Sequence, residues 1–186
     1  MKNKLILAVV GMAGSGKSEV VKYLVKKLNW PVVYLGAITF TWMKKRKIPI
    51  NWKNEKEARE QIRRENGGMG AYAKLSLPAI AALLKNNTGV IVESLYSWSE
   101  YKILKNKFGD NFKVVAALAS PAIRFKRLKT RKNSRPMKNY AEFQTRDYSE
   151  IENIEKGGPI VMADYLIVNE STLKDLRKKL NGIKIS

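Results

Sequence analysis

Residues 5–18 read LILAVVGMAGSGKS, and the fold is decided by the contrast between the two halves of that stretch. Leu5 to Val10 is an unbroken apolar run of strand length. It lacks the polar alternation of a half-exposed strand, so it is expected to be covered on both faces. Gly11 to Ser18 then satisfies G-x-x-x-x-G-K-[ST] at every position. Its glycines let the backbone curl until successive N–H groups converge on one anion, and the helix starting there adds the positive end of its dipole. A lysine at the position of Lys17 reaches the β- and γ-phosphates, and the hydroxyl of Ser18 joins the shell of Mg²⁺. Val20, Val21, Leu24, Val25 and Leu28 follow at helical spacing, so the loop lies between a buried strand and an amphipathic helix. The expected cofactors are ATP and Mg²⁺, with Gly11, Ala13, Gly14, Ser15, Gly16, Lys17 and Ser18 forming the cradle.

Outward from this loop, strands and helices alternate. Pro31–Leu35, Val90–Glu93, Phe112–Leu118 and Tyr165–Val168 read as four further strands. Helices are expected over 38–47, 55–66 (with an Asn54/Glu57 cap), 71–85, from Ser97 (with Glu100 making a capping box) to near Gly109, from Pro121 to about Thr130, and from Asn139 to about Glu155. Gly157-Gly158-Pro159 reads as a stop, and Ser171 as the cap of a last helix. This alternation predicts a three-layer α/β fold, of the P-loop NTPase type, with a five-stranded parallel sheet and helices on both faces. The whole chain, 1–186, reads as a single domain. A small acceptor lobe is expected at about 37–85 and a lid at about 131–146.

Composition removes several kinds of chemistry. The 186 residues include no Cys and no His. Disulfides, thiolate nucleophiles, Cys- or His-ligated metals and a His general base are therefore excluded. Phosphoryl transfer needs none of these, because it rests on positioning and on neutralising spread negative charge. No apolar run approaches the roughly 20 residues that span a bilayer, and the short run at 5–10 passes straight into the glycine loop. The expected location is the cytoplasm, with no membrane partner. Lys plus Arg number 36 against 16 Asp plus Glu, a formal net charge of +20. Residues 43–64 carry +6 of this and residues 121–146 carry +8. The charge is thus gathered into two basic segments around a phosphate-binding core.

Later segments carry a family resemblance. Arg127-Leu128-Lys129-Thr130-Arg131 has the R-L-x-x-R form that precedes the lid in nucleoside monophosphate kinases, and Arg135 follows in the lid loop. Arg146-Asp147 is similar to the Arg-Asp pair on the helix returning from the lid. ADYLIVN (163–169) resembles the strand and loop against which adenine lies in dephospho-CoA kinase. Over nearly its full length the chain resembles a small archaeal-type family of dephospho-CoA-kinase-like P-loop proteins. The segments GMAGSGKSEV, PVVYLG, RRENGGMGAYAK, VIVES, FKVVAALASPAIRFKRLKTR and ADYLIVNE carry it. The resemblance implies that Arg127 and Asn169 contact the nucleotide and that Arg131 and Arg135 stabilise the transferred group.

The acceptor side departs from that pattern. The related kinases end their second strand in Gly-Asp, with Arg three residues beyond the Asp; here Gly36 is followed by Ala37, and Phe40 stands in place of the Arg. After the third strand Glu93 is retained, Ser94 replaces the usual Gly, and Tyr96 stands where an Arg would be. Glu93 is expected to help hold Mg²⁺ and to accept the acceptor's proton. Arg63, Arg64 and Lys74 flank Gly67-Gly68 and are the remaining cations for an acceptor. Arg64, Lys74, Tyr96 and Phe40 are the expected substrate contacts. The function so implied is transfer of the ATP γ-phosphoryl to a small phosphorylated acceptor, a nucleotide or a dephospho-CoA-like molecule. The alternative is a P-loop ATPase or switch protein whose basic surface holds RNA or sits on the ribosome.

Overall fold

The run Leu5–Val10 becomes the central strand because each of its faces meets a different helical layer. In the computed structural model, which describes residues 4–131, 137 and 139–185 apart from the Trp52 side chain, five strands form one parallel sheet. They are β1 (Leu5–Val10), β2 (Val32–Tyr34), β3 (Gly89–Glu93), β4 (Phe112–Leu118) and β5 (Tyr165–Val168), ordered β2-β3-β1-β4-β5. The helices are α1 (Lys17–Leu28), α2 (Ala37–Lys45), α3 (Trp52–Glu65), α4 (Ala71–Asn86), α5 (Trp98–Phe108), α6 (Pro121–Lys129), α7 (Tyr140–Glu152), α8 (Gly157–Val161) and α9 (Leu173–Asn181).

Side chains alternate across β1. Ile6, Ala8 and Val10 pack with Ile62, Tyr72, Ile80, Tyr101 and Leu104 from α3, α4 and α5. Leu7 and Val9 face the other way, onto Val20, Val21 and Leu24 of α1 and Leu176 and Leu180 of α9. Burying each large side chain stabilises the fold by about 1.5–3 kcal/mol, so the register of β1 is strongly specified. A third, smaller cluster joins Ala13 of the glycine loop to Leu128, Met137 and Phe143. It fastens the loop to α6 and α7.

Several helix ends differ from the sequence reading. The α3 helix is capped by Asn51, whose side chain accepts from Asn54 N, rather than by Asn54 with Glu57. The α9 helix is capped by Thr172 rather than Ser171, because Asp175 stands three residues after Thr172 and completes a reciprocal capping box. The Ser97/Glu100 box forms as expected. The helix α7 ends at Glu152, and Gly157-Gly158-Pro159 opens the five-residue helix α8 instead of only stopping its predecessor. Proline is acceptable there because its missing N–H falls in the first turn, where no intrahelical partner exists.

Parallel pairing puts the C-terminal ends of all five strands on one edge. Val9 lies level with Glu93 and with Val115, so the glycine loop emerges between the ends of β3 and β4. In open α/β sheets this is the edge that receives ligands. Among the described residues no single helix is long and apolar enough to cross a membrane.

Candidate functional site

The glycine loop is held in its curled form by backbone angles that favour glycine and by bonds from three other elements. Gly11, Gly14 and Gly16 have φ of 144°, 80° and 96°. A Cβ at Gly14 would lie 2.7 Å from the carbonyl oxygen of Arg124, and one at Gly16 would lie 2.2 Å from Asn169 Nδ2. Asn169 Nδ2 donates to Ser15 O at 2.8 Å, and its own N–H donates to Leu118 O at 2.7 Å. Arg127 lies at long hydrogen-bond range from Gly14 O (3.4 Å) and Asn169 Oδ1 (3.5 Å). Asn169 therefore shapes the loop directly, whatever else it contacts.

Arg124 is the strongest of these ties, and the sequence reading did not single it out. Its guanidinium is buried and grips Asp147 at two points, 2.8 and 2.6 Å. The same side chain donates to Ala13 O at 3.3 Å and to Ala119 O at 3.1 Å, and lies 5.0 Å from the Phe143 ring. Glycine loop, α6 and α7 thus meet at one buried ion pair. The available signal was the Arg146-Asp147 pair, in which Asp147 proves to be the partner of Arg124 and Arg146 faces elsewhere.

Lys17 Nζ donates to Gly11 O at 2.8 Å and Met12 O at 2.9 Å, folding its cation back over the loop. Burial, and then the charges of Lys156, Arg146 and Arg131, pull it down to about 7 against the opposing attraction of Glu150. Facing it is a charged cluster built largely by α7. Glu150 accepts from Arg146 Nε at 3.1 Å and from Lys156 Nζ at 2.5 Å. Burial opposes its ionisation, yet Lys156 and Arg146 hold its carboxyl at about 2. Lys156 is itself pushed down by burial and lies 4.5 Å from the Tyr96 ring. Neither Lys156 nor Glu150 stood out in the sequence, because nothing in the motif order marks a lysine beyond the end of a helix.

Glu93 ends β3 half-buried, and burial raises its carboxyl while Lys17 opposes that rise. Ser94 next to it has φ of 69°, a conformation costing a non-glycine residue about 1–2 kcal/mol. This is the position at which the resembling kinases carry Gly. Ser94 is held there by a bond from the Tyr96 hydroxyl to its Oγ at 3.1 Å. Tyr96 is pushed up by burial, with Glu150 and Glu93 adding to the rise. Lys17, Glu93, Ser94, Tyr96, Arg146, Glu150 and Lys156 therefore share one polar centre at the sheet edge. Beside the loop, a cavity of about 270 Å³ is lined by residues including Met12, Ser15, Leu118, Ser120, Arg124 and Glu170.

Other expected contacts fall elsewhere. Arg64 is exposed and donates to Gln61 Oε1 at 2.7 Å, so α3 turns it away from the interior. Lys74 is exposed, its Nζ lying against Gly67. Phe40 is half-buried on α2 beside Thr39, whose hydroxyl meets that of Tyr72 at 2.6 Å. Arg131 is exposed, yet its charge is felt at Lys17. Arg135 lies outside the described residues. Asp164 accepts from Val114 N at 2.8 Å near the opposite, N-terminal edge of the sheet, where it joins β4 to β5.

A group held by the loop would find donors to match it. Three glycines hold positive φ and let the loop curl tightly, and among the described residues Ser15 Oγ is buried without a hydrogen-bond partner and Lys17 bonds only loop carbonyls. These features fit a polyphosphate. Among the described residues no three carboxylates cluster in a way that could hold a metal ion alone. The donors near the loop, Ser18 and Glu93, suit a cation held mainly by phosphate and water, which is the habit of Mg²⁺.

Comparison with known proteins agrees with this geometry. A family profile described as an AAA domain matches residues 7–156. The chain is 37% identical over 180 residues to a UPF0200 protein of Thermococcus sibiricus, covering 96% of this chain and 93% of that one. It is also 37% identical to a UPF0200 protein of Pyrococcus furiosus, covering 96% and 95%. Among solved structures, a shikimate kinase from Bacteroides thetaiotaomicron superposes with a TM-score of 0.60 at 17% identity, over 95% of this chain and 96% of that one. A gluconokinase from Sinorhizobium meliloti does so with a TM-score of 0.56 at 17% identity, over 97% and 91%. At such identities the structural likeness concerns the fold, which is that of P-loop kinases.

Proposed function

We infer, for a chain that belongs to the UPF0200 family and is built on an AAA-type P-loop domain, an ATP-dependent phosphotransferase acting on a small phosphorylated acceptor. The observation that carries this reading is the juxtaposition of a complete phosphate cradle with a carboxylate, Glu93, at the adjoining strand end. ATP lies with its phosphates on the N–H groups of Gly14–Ser18. Lys17 leaves the carbonyls of Gly11 and Met12 and engages the β- and γ-phosphates. Ser18 and Glu93 would be the protein's contribution to holding Mg²⁺, which would supply neutralisation of phosphate charge when bound. Arg146, fixed by Glu150, and Arg131, whose charge reaches Lys17, offset the charge of the transferred group, a role the resemblance extends to Arg135. Burial raises the proton affinity of Glu93, which suits a carboxylate that takes a proton from an acceptor hydroxyl. Nucleotides and dephospho-CoA-like molecules are the acceptors that the resemblance favours.

The test is transfer of label from [γ-³²P]ATP across a panel of nucleoside monophosphates, dephospho-CoA and phosphorylated sugars. Labelled product from at least one acceptor is expected. ATP binding without transfer to any of them would overturn the reading.

A second reading rests on the C-terminal end of α2 and the turn after it. Lys44, Lys45, Arg46 and Lys47 are all exposed there, with the Arg46 guanidinium 3.9 Å from the Trp42 ring. Such a surface suits phosphate backbones and stacked bases. RNA binding that weakens steeply with salt would support it, and salt-insensitive binding would remove it.

A further inference from the structure

The acceptor half contains a cation that the fold turns inward and that forms no ion pair among the described residues. Arg63 occupies the last turn of α3. Its neighbours on that helix are satisfied: Arg59 pairs with Glu55 at 3.2 Å, and Arg64 bonds Gln61 in solvent. Arg63 Nε is buried and has no hydrogen-bond partner. Its guanidinium carbon lies 5.7 Å from the centre of the Tyr72 ring. That ring is fixed, since its hydroxyl meets Thr39 Oγ1 at 2.6 Å and α4 begins one residue earlier. An arginine held against an immobile aromatic face keeps the outer edge of its guanidinium free for a planar, two-point grip on an oxyanion.

The buried carboxylate within its electrostatic reach does not fill that role. Glu100 is buried and close enough for Arg63 to influence it, but among the described residues the two form no ion pair. Glu100 Oε2 is committed to the N–H groups of Tyr96 and Ser97, at 2.7 and 3.0 Å. Burial also raises its carboxyl to about 7, so near neutrality much of its charge is absent. A buried donor left open in a native structure needs a reason, and a bound group is one such reason.

The position suits an acceptor. Ser97 Oγ donates to Met69 O at 2.9 Å, tying the glycine-rich turn after α3 to the loop between β3 and α5. Tyr96 in that same loop contacts Ser94 and Lys156 on the side of the phosphate cradle. The Arg63 niche and the reacting centre are thus joined through one short loop.

We propose that Arg63, backed by Tyr72 and Thr39, is the anchor for an oxyanion group of the acceptor, a phosphate or a carboxylate remote from the oxygen that receives the phosphoryl group. This rests on the phosphotransferase reading above. It replaces the arginine that the resemblance would put at Phe40, and it takes the role expected of Arg64 and Lys74. The proposed acceptor is a small molecule with one anionic end and one hydroxyl or phosphate end.

The experiment uses the full chain with its cradle filled by the non-hydrolysable analogue AMP-PNP and Mg²⁺, so that added anions cannot occupy the loop. Calorimetry then reads binding of AMP, of shikimate and of inorganic phosphate to the wild type, Arg63→Met, Arg63→Lys and Arg64→Met. At least one probe should bind the wild type and Arg64→Met alike, weaken tenfold or more in Arg63→Met, and weaken less in Arg63→Lys. AMP against shikimate distinguishes a phosphate from a carboxylate anchor. Arg63→Met should melt no lower than the wild type without ligand, because it removes an unpaired buried donor; a purely structural arginine would lower the melting temperature. If AMP-PNP binds normally and the probes bind Arg63→Met as they bind the wild type, or bind neither, the anchor is overturned and the phosphotransferase reading survives. If AMP-PNP binds none of the four proteins, both fall together.

Discussion

The donor half and the acceptor half of this site differ in how completely their polar groups are bonded. Around the glycine loop, Lys17, Arg124, Asp147, Asn169, Glu150 and Lys156 all have named partners, several of them two or more, and Ser15 Oγ is the open group, facing the phosphate cradle. At the end of α3 and the start of α5, by contrast, Arg63 has an open donor and Glu100 a weakened charge. The first half is a scaffold whose geometry is over-determined, as positioning catalysis requires. The second leaves a buried donor open, which is the feature that the proposed oxyanion anchor accounts for.

The contrast can be broken most forcefully at Arg124. Replacing it with Ala leaves Asp147 buried and unpaired, and the expected cost is about 3–5 kcal/mol of stability. Urea unfolding would measure it. The double change Arg124→Met with Asp147→Leu should restore most of the loss, since no lone charge then remains. A cost below about 1 kcal/mol in the single variant would mean that the donor half is not held as described.

Lys17→Met should act on chemistry instead of folding. Phosphoryl transfer or ATP hydrolysis is expected to fall about 10²–10³-fold, the effect of deleting one preorganised charge donor. Melting temperature should hold or rise, because a desolvated cation has been removed. Unchanged turnover would detach the loop from the reaction.

A third distinction lies in the opposite pH responses of two buried glutamates. Glu150 faces Lys156, Arg146 and Lys17, and is held at about 2 in the fold against 4.5 otherwise. Its contribution is present above pH 4.5 and is lost as pH falls from there through 2, amounting to about 3 kcal/mol. Glu100 faces Arg63 and the N–H groups of Tyr96 and Ser97, and is raised to about 7. The folded state then binds the extra proton, so stability falls as pH rises from 4.5 through 7, by at most about 3 kcal/mol. Glu150→Gln should flatten the acid limb of a stability–pH curve, and Glu100→Gln should flatten the limb approaching neutrality. Equal curves for wild type and Glu100→Gln would show that Glu100 keeps its charge.

Much of this molecule was readable from local pattern. The buried strand, the phosphate loop and the alternation of strands and helices announce themselves within short windows, because hydrophobic periodicity and backbone curl are local properties. The Ser97/Glu100 capping box was legible for the same reason. Caps were misread where two candidates stood close together, as with Ser171 and Thr172; which one caps depends on a carboxylate three residues on, and Asp175 answers for Thr172.

The identity of the interior arginines could not be read in this way. Arg63 and Arg64 are adjacent and chemically alike, yet one enters the core side of α3 and the other enters water. That outcome depends on the angle at which α3 meets α4, which places Tyr72 under one residue only. Arg124 and Asp147 stand 23 residues apart, and only folding brings them together. The sequence by itself determined the fold class and the phosphate cradle, since both follow from contiguous residues and their backbone preferences. Which arginine turns inward and which ion pair holds the cradle emerged only with tertiary packing. A charge acquires its role from burial and from its partners, and neither exists before distant segments pack.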